Sequence, residues 1–383
     1  MKVFVIAGEV SGDALGAALM HGLRHEAPDV QFDGIGGAQM QAKGLQSRFD
    51  MSELSLMGIA EILPKYFHLK RRITETAAAV VEAKPDVLIT IDSPDFCLRV
   101  AKLVKDQSDV RCVHYVAPSV WAWREGRAAK MAKVIDHVLA LLPFEPPLME
   151  AAGMACDFVG HPITTQPQAS AAEAASFRAQ IAPDAAPLIL ALPGSRRGEV
   201  TRLAPIFEQS LKQICASHPN AHVVLPAAAP VAELVKAHVA TWPFRVSVLD
   251  PTDMDPDVYA TQKRAAFRAA DVALAASGTV SLELAAANTP MVIAYDMNWL
   301  SRQIIGRMLK VDTVTLVNLV SDTRAVPEFI GARCQPELIA KGVLEVLEQP
   351  EDQQDAMTQT MDLLGRGGDA PGSRAAKAVL ARL

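Results

Sequence analysis

Apolar residues in this chain fall into short, nearly continuous runs, and between the runs they recur at helical spacing. In the first half the runs are Val3–Ala7, Val87–Ile91, Val113–Val116 and Val138–Leu142, with weaker ones at Gln31–Ile35 and Asp157–Val159. Leu15–His25, Ile73–Ala83, Phe96–Lys105 and Arg127–Ile135 carry the helical pattern. Runs of Val, Ile and Leu without polar alternation predict parallel strands buried on both faces. From Pro162 to Pro187 the pattern lapses into Gln, Ala, Ser and Pro, with one helix near Ala171–Ala182. It restarts with Leu188–Leu192, Val223–Leu225, Val246–Leu249, Val272–Ala276, Val292–Tyr295 and Thr315–Leu319, again interleaved with helices. The pattern predicts an α/β chain of two doubly wound domains, residues 1–165 and 166–350, hinged near His161–Pro167. Pro336–Leu347 and Asp352–Leu383 read as helical, and residues 351–383 are expected to pack across the domain junction.

Composition narrows the classes of function. The length of 383 residues suits about two domains. A net charge of −6 argues against a nucleic-acid binder, whose footprint is basic. The five cysteines, Cys97, Cys112, Cys156, Cys215 and Cys334, have no CxxC spacing and read as reduced thiols of a cytosolic protein. The N-terminal apolar run is too short for a signal peptide and is interrupted by Glu9. No window approaches the ~20 apolar residues of a membrane span.

Open parallel sheets bind ligands at the carboxyl ends of their strands, so chemistry is sought in the loops that follow them. Asp271 to Asn288 reads as strand, small-residue turn and helix start: Ser277-Gly278-Thr279 breaks the run and Val280 begins the helix. Such a turn can cradle a phosphate, or Ser277 or Thr279 can simply cap the helix. Glu283, one turn after Thr279, is placed to accept from a ribose diol. After Leu188–Leu192, Gly194-Ser195-Arg196 allows close backbone approach and supplies a guanidinium for a diphosphate, whereas Arg197 suits a surface pair with Glu199. Asn318 is expected as a further polar group at a strand end.

In the first half, the Gly8-Glu9-Val10-Ser11-Gly12-Asp13 turn lacks the spacing of a dinucleotide fingerprint. Glu9, Ser11 and Asp13 are expected to floor a sugar site, with Asp13 alternatively a favourable acid in a first helical turn. Asp92-Ser93-Pro94-Asp95 puts two carboxylates in a tight turn, as a base and its partner or as helix caps. Trp121 and Trp123 follow the third strong run and could wall a sugar or acyl site, or merely pack. Leu54 to Arg72 joins Leu56, Met57, Tyr66 and Phe67 to Lys70, Arg71 and Arg72, the composition of a helix that meets an anionic bilayer or acyl chains; the alternative is a buried helix with a solvated basic end. Asp253-Met254-Asp255-Pro256-Asp257 resembles a metal motif but lacks further ligands and reads as a helix start. His161 reads as a structural hinge residue.

The ordered set Gly8–Asp13, Asp92–Phe96, Pro118–Arg124, Gly160-His161-Pro162, Leu192–Arg196 and Ser277–Thr279 with Leu282-Glu283 resembles the motifs of the lipid-A-disaccharide synthase family of glycosyltransferases. Val317-Asn318 stands where that family usually has Pro-Asn. The resemblance implies a GT-B fold: two Rossmann-like domains, an interdomain cleft and a C-terminal helix returning to the N-terminal domain. It implies transfer of 2,3-diacylglucosamine from UDP to the 6-hydroxyl of 2,3-diacylglucosamine 1-phosphate, without metal or other cofactor, by a peripheral protein on the cytoplasmic face of the Gram-negative inner membrane. On that basis Asp95 is expected as the base, with Asp92 as runner-up or support, and Arg196 as the group that steadies the departing diphosphate. Gly194, Ser195, Ser277, Gly278, Thr279, Glu283 and Asn318 would complete the UDP site. Glu9, Ser11, Asp13, Met57, Phe67, Lys70, Arg71, Arg72, Trp121 and Trp123 would serve acceptor and lipid. A UDP-sugar 2-epimerase of the same fold and a non-catalytic UDP-sugar-binding membrane adaptor are the competing readings. Acyl-chain length, domain closure and a homodimeric state are left open.

Overall fold

The computed structural model describes residues 1–54, 59–122, 126–184, 187–297 and 311–383, with the side chains of 59–66 also outside the description. The chain forms two compact units, Met1–Thr165 with Leu364–Leu383, and Gln166–Leu363.

The first unit holds six parallel strands, β1 Lys2–Ala7, β2 Gln31–Ile35, β3 Val87–Ile91, β4 Arg111–Tyr115, β5 His137–Ala140 and β6 Ala155–Phe158, in the order β2-β1-β3-β4-β5-β6. Between and around them run the helices α1 Val10–Glu26, α2 Ala38–Ala42, α3 Ile59–Ala83, α4 Pro94–Lys105, α5 Gly126–Met131 and α6 Pro146–Glu150. The pleat sorts the core into two layers. Val3, Val5 and Ala7 pack with α1 residues Leu15, Leu19 and Leu23, while Phe4 and Ile6 pack with Ile73 and Val80 of α3 and Val100 of α4.

The second unit repeats the plan with β7 Leu188–Leu192, β8 His222–Pro226, β9 Val246–Leu249, β10 Val272–Ala275, β11 Met291–Tyr295 and β12 Glu328–Ile330, in the order β12-β11-β10-β7-β8-β9. Its helices α7 Ala171–Ile181, α8 Arg197–Ser217, α9 Ala232–Val239, α10 Pro256–Ala269 and α11 Val280–Ala286 are followed by Leu316–Ser321, Pro336–Glu348 and Glu351–Leu363. In α8, Val200, Leu203, Ala204, Phe207, Leu211 and Ile214 recur at helical spacing and are buried in the core.

Two expectations are corrected. Thr315–Leu319 is not a strand: Leu316–Ser321 is helical, and the sixth strand is Glu328–Ile330. Leu316, Val317, Leu319 and Val320 fit a helical face as well as a short buried run, and periodicity cannot separate the two at this length. The Glu328 carboxylate arbitrates, accepting from the N–H groups of Val314 and Thr315 at 2.9 and 2.6 Å and so fixing the turn ahead of the helix. The tail is not one helical piece either. Gly365 (φ +102°) and Gly367 (φ +79°) break it after Leu363, and Pro371 starts a new helix, Pro371–Leu380.

The two pieces belong to different units. Glu351–Leu363 packs on α11 and Leu316–Ser321, whereas Pro371–Leu380 lies along α1. That last contact is close because both helices offer glycine: a Cβ on Gly22 would meet Gly372 O at 2.6 Å, and one on Gly372 would meet Ala18 O at 2.5 Å. Arg382 then ties the C-terminus to β6, donating from Nε to Asp157 at 2.6 Å. Among the described residues no helix is long and apolar enough to cross a membrane.

Candidate functional site

In the second unit the strand order reverses between β7 and β10, the switch point at which such sheets bind ligands. A cavity of about 650 Å³ opens there, lined by Gly194, Ser195, Arg196, Ser277, Gly278, Thr279 and Glu283 among others. Two loops far apart in sequence, each leaving the end of one of these strands, thus share one pocket.

The loop after β7 owes its shape to Glu199. Its Oε2 accepts from the N–H groups of Ser195 at 3.1 Å and Arg196 at 3.3 Å. This carboxylate lies so close that a Cβ on Gly194 would sit 2.6 Å from it, and Gly194 has φ +116°; only glycine serves here. Arg196 itself is largely exposed and meets Glu199 Oε1 at 3.4 Å. A surface pair of that length is worth well under ~1 kcal/mol, so the guanidinium can turn to a ligand at little cost. Glu199 pairs with Arg196, not with Arg197 as the sequence suggested.

The loop after β10 has Gly278 at φ +153° with open space around it. The Ser281 and Leu282 N–H groups bond back to the Gly278 and Thr279 carbonyls, so the helical ladder begins there and residues 277–279 form the pocket lip. Glu283 pairs with Lys263 at 2.7 Å. The same Lys263 nitrogen lies 5.1 Å from the Phe267 ring centroid. Lys263, Tyr259 and the Pro226–Ala229 stretch also line the pocket and were missed from sequence. Pro226 ends β8 and Ala227–Ala229 follow it, so this post-strand position was a usable signal; Lys263 and Tyr259 are helical, and nothing in the pattern marked them.

Asn318 is not part of this pocket. It is buried inside the helix Leu316–Ser321, where its amide accepts from Val326 N–H at 2.9 Å and donates to Val326 O and Thr313 Oγ1. All of this bonding is internal, as expected of a buried amide. Asp255 caps α10 through Asp257 N–H at 2.9 Å, the helix start expected of the DxD-like stretch.

In the first unit the order reverses between β1 and β3, and the loops after these strands touch. A Cβ on Gly8 would meet Ser93 Oγ at 2.4 Å. Asp92 (φ +51°) and Ser93 (φ +42°) are consecutive left-handed residues, a conformation costing of order 1 kcal/mol each and typical of functional turns. Asp92 is committed locally: its N–H donates to Tyr115 O, and its Oδ1 accepts from Ser93 N–H at 2.9 Å. Asp95, in the first turn of α4, is exposed and lines a separate cavity with residues of α5.

Asp13 is not a sugar floor. It is buried, and its carboxylate accepts from the N–H groups of Gly37, Gln39 and Met40 at 2.8, 2.9 and 3.1 Å, so it builds the start of α2. Glu9 and Ser11 remain at the surface of the same turn, beside Val10 at 73% exposure.

Trp121 packs edge-on against Phe144, with ring centroids 5.6 Å apart. Val116 precedes this loop at φ +85°, strained for a β-branched residue. Beside it, burial pushes the Glu145 carboxyl up to about 7, although it accepts from the N–H groups of Leu141 and Leu142. Met57 and Trp123 lie outside the described residues.

The basic cluster is largely committed within the unit. Arg72 donates to both oxygens of Glu53 at 2.8 Å, pairs with Glu75 and covers the Phe49 ring at 4.4 Å. With His68 it holds the Glu53 carboxyl down to about 2. Arg71 meets Glu75 at 3.5 Å, while Phe67 is 82% exposed and Lys70 faces outward.

The comparisons with known proteins bear on this arrangement. A family model described as "Lipid-A-disaccharide synthetase" matches residues 3–379. The chain is 63% identical to the lipid-A-disaccharide synthase of Ruegeria pomeroyi, over 100% of this chain and 96% of that protein. It is 45% identical to the one of Rhodospirillum centenum, over 99% and 94%. Among solved structures, the UDP-GlcNAc 2-epimerase of Neisseria meningitidis, bound to UDP-GlcNAc, superposes with a TM-score of 0.64 at 12% identity, covering 100% and 99% of the two chains. MurG of Acinetobacter baumannii gives 0.56 at 14% identity, covering 99% of each. At such identities these structures speak to the fold alone, and with the two parallel six-stranded sheets they establish the GT-B class. The chain belongs to the lipid-A-disaccharide synthase family of glycosyltransferases.

Proposed function

We propose that this enzyme moves 2,3-diacylglucosamine from UDP to the 6-hydroxyl of 2,3-diacylglucosamine 1-phosphate, inverting the anomeric carbon to give the β-1,6 disaccharide 1-phosphate and UDP. The observation that carries the donor half is the meeting of Arg196 and Ser277–Thr279 in one strand-end pocket. The weakly held Arg196 guanidinium neutralises the diphosphate as its charge grows on departure, with the loop's amide dipoles beside it. Glu283 receives the ribose hydroxyls, and Lys263 holds its carboxylate in place.

Asp95 takes the proton of the attacking hydroxyl. Its exposed position at the head of α4 leaves the carboxylate open to a substrate, whereas Asp92 shapes the strained turn that presents it. The test is UDP release on mixing donor and acceptor in detergent without divalent metal. Release that requires the acceptor supports transfer; release or epimerisation of the donor sugar without acceptor overturns it.

Attachment to the cytoplasmic face of the inner membrane is part of the same proposal. Phe67 and Lys70 supply the apolar and cationic contacts, while Arg71 and Arg72 answer to Glu75 and Glu53. Phe67→Ser with Lys70→Gln should weaken binding to anionic vesicles. Unchanged binding of that variant removes the segment from membrane attachment. The acceptor and lipid are assigned to the first unit, the donor to the second, with a homodimer as one arrangement that sedimentation would test.

A further inference from the structure

The cavity beside Asp95 contains more than a base. It measures about 580 Å³ and is lined by one face of α4, carrying Asp95 and Leu98, and one face of α5, carrying Arg127, Lys130 and Met131. The spacings i, i+3 and i, i+4 are those at which helical side chains share a face. Leu98 and Met131 add apolar lining, and Arg127 and Lys130, one helical turn apart on α5, add two cations. Both cations belong to exposed residues.

Two cations and a carboxylate lining one cavity together with apolar side chains match a particular ligand chemistry. A phosphomonoester carries between one and two negative charges near neutral pH, with several strong acceptor oxygens. A guanidinium and an ammonium close together bind it through charge-assisted hydrogen bonds. The donor's diphosphate is already provided for in the second unit. The phosphate left to place, on the proposed reaction, is that of the acceptor, carried on the same sugar ring as the reacting hydroxyl. We propose that Arg127 and Lys130 form the subsite for the acceptor's phosphomonoester, orienting the sugar so that its hydroxyl meets Asp95. This rests on the transfer reaction above and adds a specificity element to it.

The test compares 2,3-diacylglucosamine 1-phosphate with the same sugar lacking phosphate, in neutral detergent micelles that supply no phosphate headgroup. In the Arg127→Gln/Lys130→Gln double variant, the preference in kcat/KM for the phosphorylated acceptor should fall roughly 10- to 100-fold, the scale of one or two charged hydrogen bonds. The loss should appear in the acceptor KM, with the donor KM unmoved. Arg127→Lys, which keeps the charge but not the fork of donors, should retain part of the preference. Equal losses on both acceptors, or a raised donor KM, would overturn the subsite. A parent enzyme that joins the donor to neither acceptor overturns the transfer reaction and the subsite together.

Discussion

The two units are built on the same plan yet use their strand-end loops differently. In the second, the loops after β7 and β10 keep their polar groups at the surface of one pocket: among the described residues the Arg196 guanidinium is tethered only by a long ion pair, and Gly278 stands in open space. In the first, the loop after β1 spends its acid inward, with Asp13 saturated by three backbone N–H groups, while the loop after β3 spends Asp92 on the turn and leaves Asp95 outward. A polar residue after a strand is therefore ambiguous between scaffold and site. What separates the two is whether its hydrogen-bonding capacity is already consumed.

That contrast can be broken or sharpened by four substitutions. Asp95→Ala should cost the most, lowering turnover by roughly 10²- to 10⁴-fold while leaving UDP-dependent thermal stabilisation intact. Near-normal turnover in that variant would reject Asp95 as the base. Asp13→Ala should instead cost stability, about 3 kcal/mol in urea unfolding, because three amides lose their acceptor in a buried setting. Its turnover per folded molecule should stay near the parent's, and a selective loss of turnover would return Asp13 to the site. Arg196→Ala should weaken UDP binding by about 2 kcal/mol, measured calorimetrically, with little change in unfolding free energy, since its pairing with Glu199 contributes so little. Equal losses in binding and stability would mark it as scaffold.

The smallest effect is a pH dependence. Burial raises the Glu145 carboxyl from its ordinary value to about 7, so between about pH 4.5 and 7 the folded protein binds more protons than the unfolded chain. Stability then falls as pH rises through that window. Glu145→Gln removes the term, and its unfolding free energy should gain on the parent's by ~1–3 kcal/mol between pH 4.5 and 7.5. A difference that stays flat with pH would mean that folding leaves the Glu145 carboxyl at its ordinary value.

Much of the architecture was written in the residue pattern. Apolar runs such as Val87–Ile91 and Leu188–Leu192 are buried along their whole length because helices cover both faces of their sheets, and that requirement removes polar alternation from the sequence itself. Gly194 and Gly278 announced their loops because no other residue tolerates those backbone angles at such low cost. The pattern failed where two structures satisfy the same apolar spacing, as at Leu316–Ser321, where a carboxylate thirteen residues away from Thr315 decides for helix. It also failed where a side chain's partner lies far off in the chain. Asn318, Asp13 and Arg72 carry the residue types of a site, but their hydrogen bonds are taken by Val326, by Gly37 to Met40 and by Glu53. Sequence fixes which groups can do chemistry. Only tertiary packing decides which remain unspent, because hydrogen-bond saturation depends on neighbours that folding brings together.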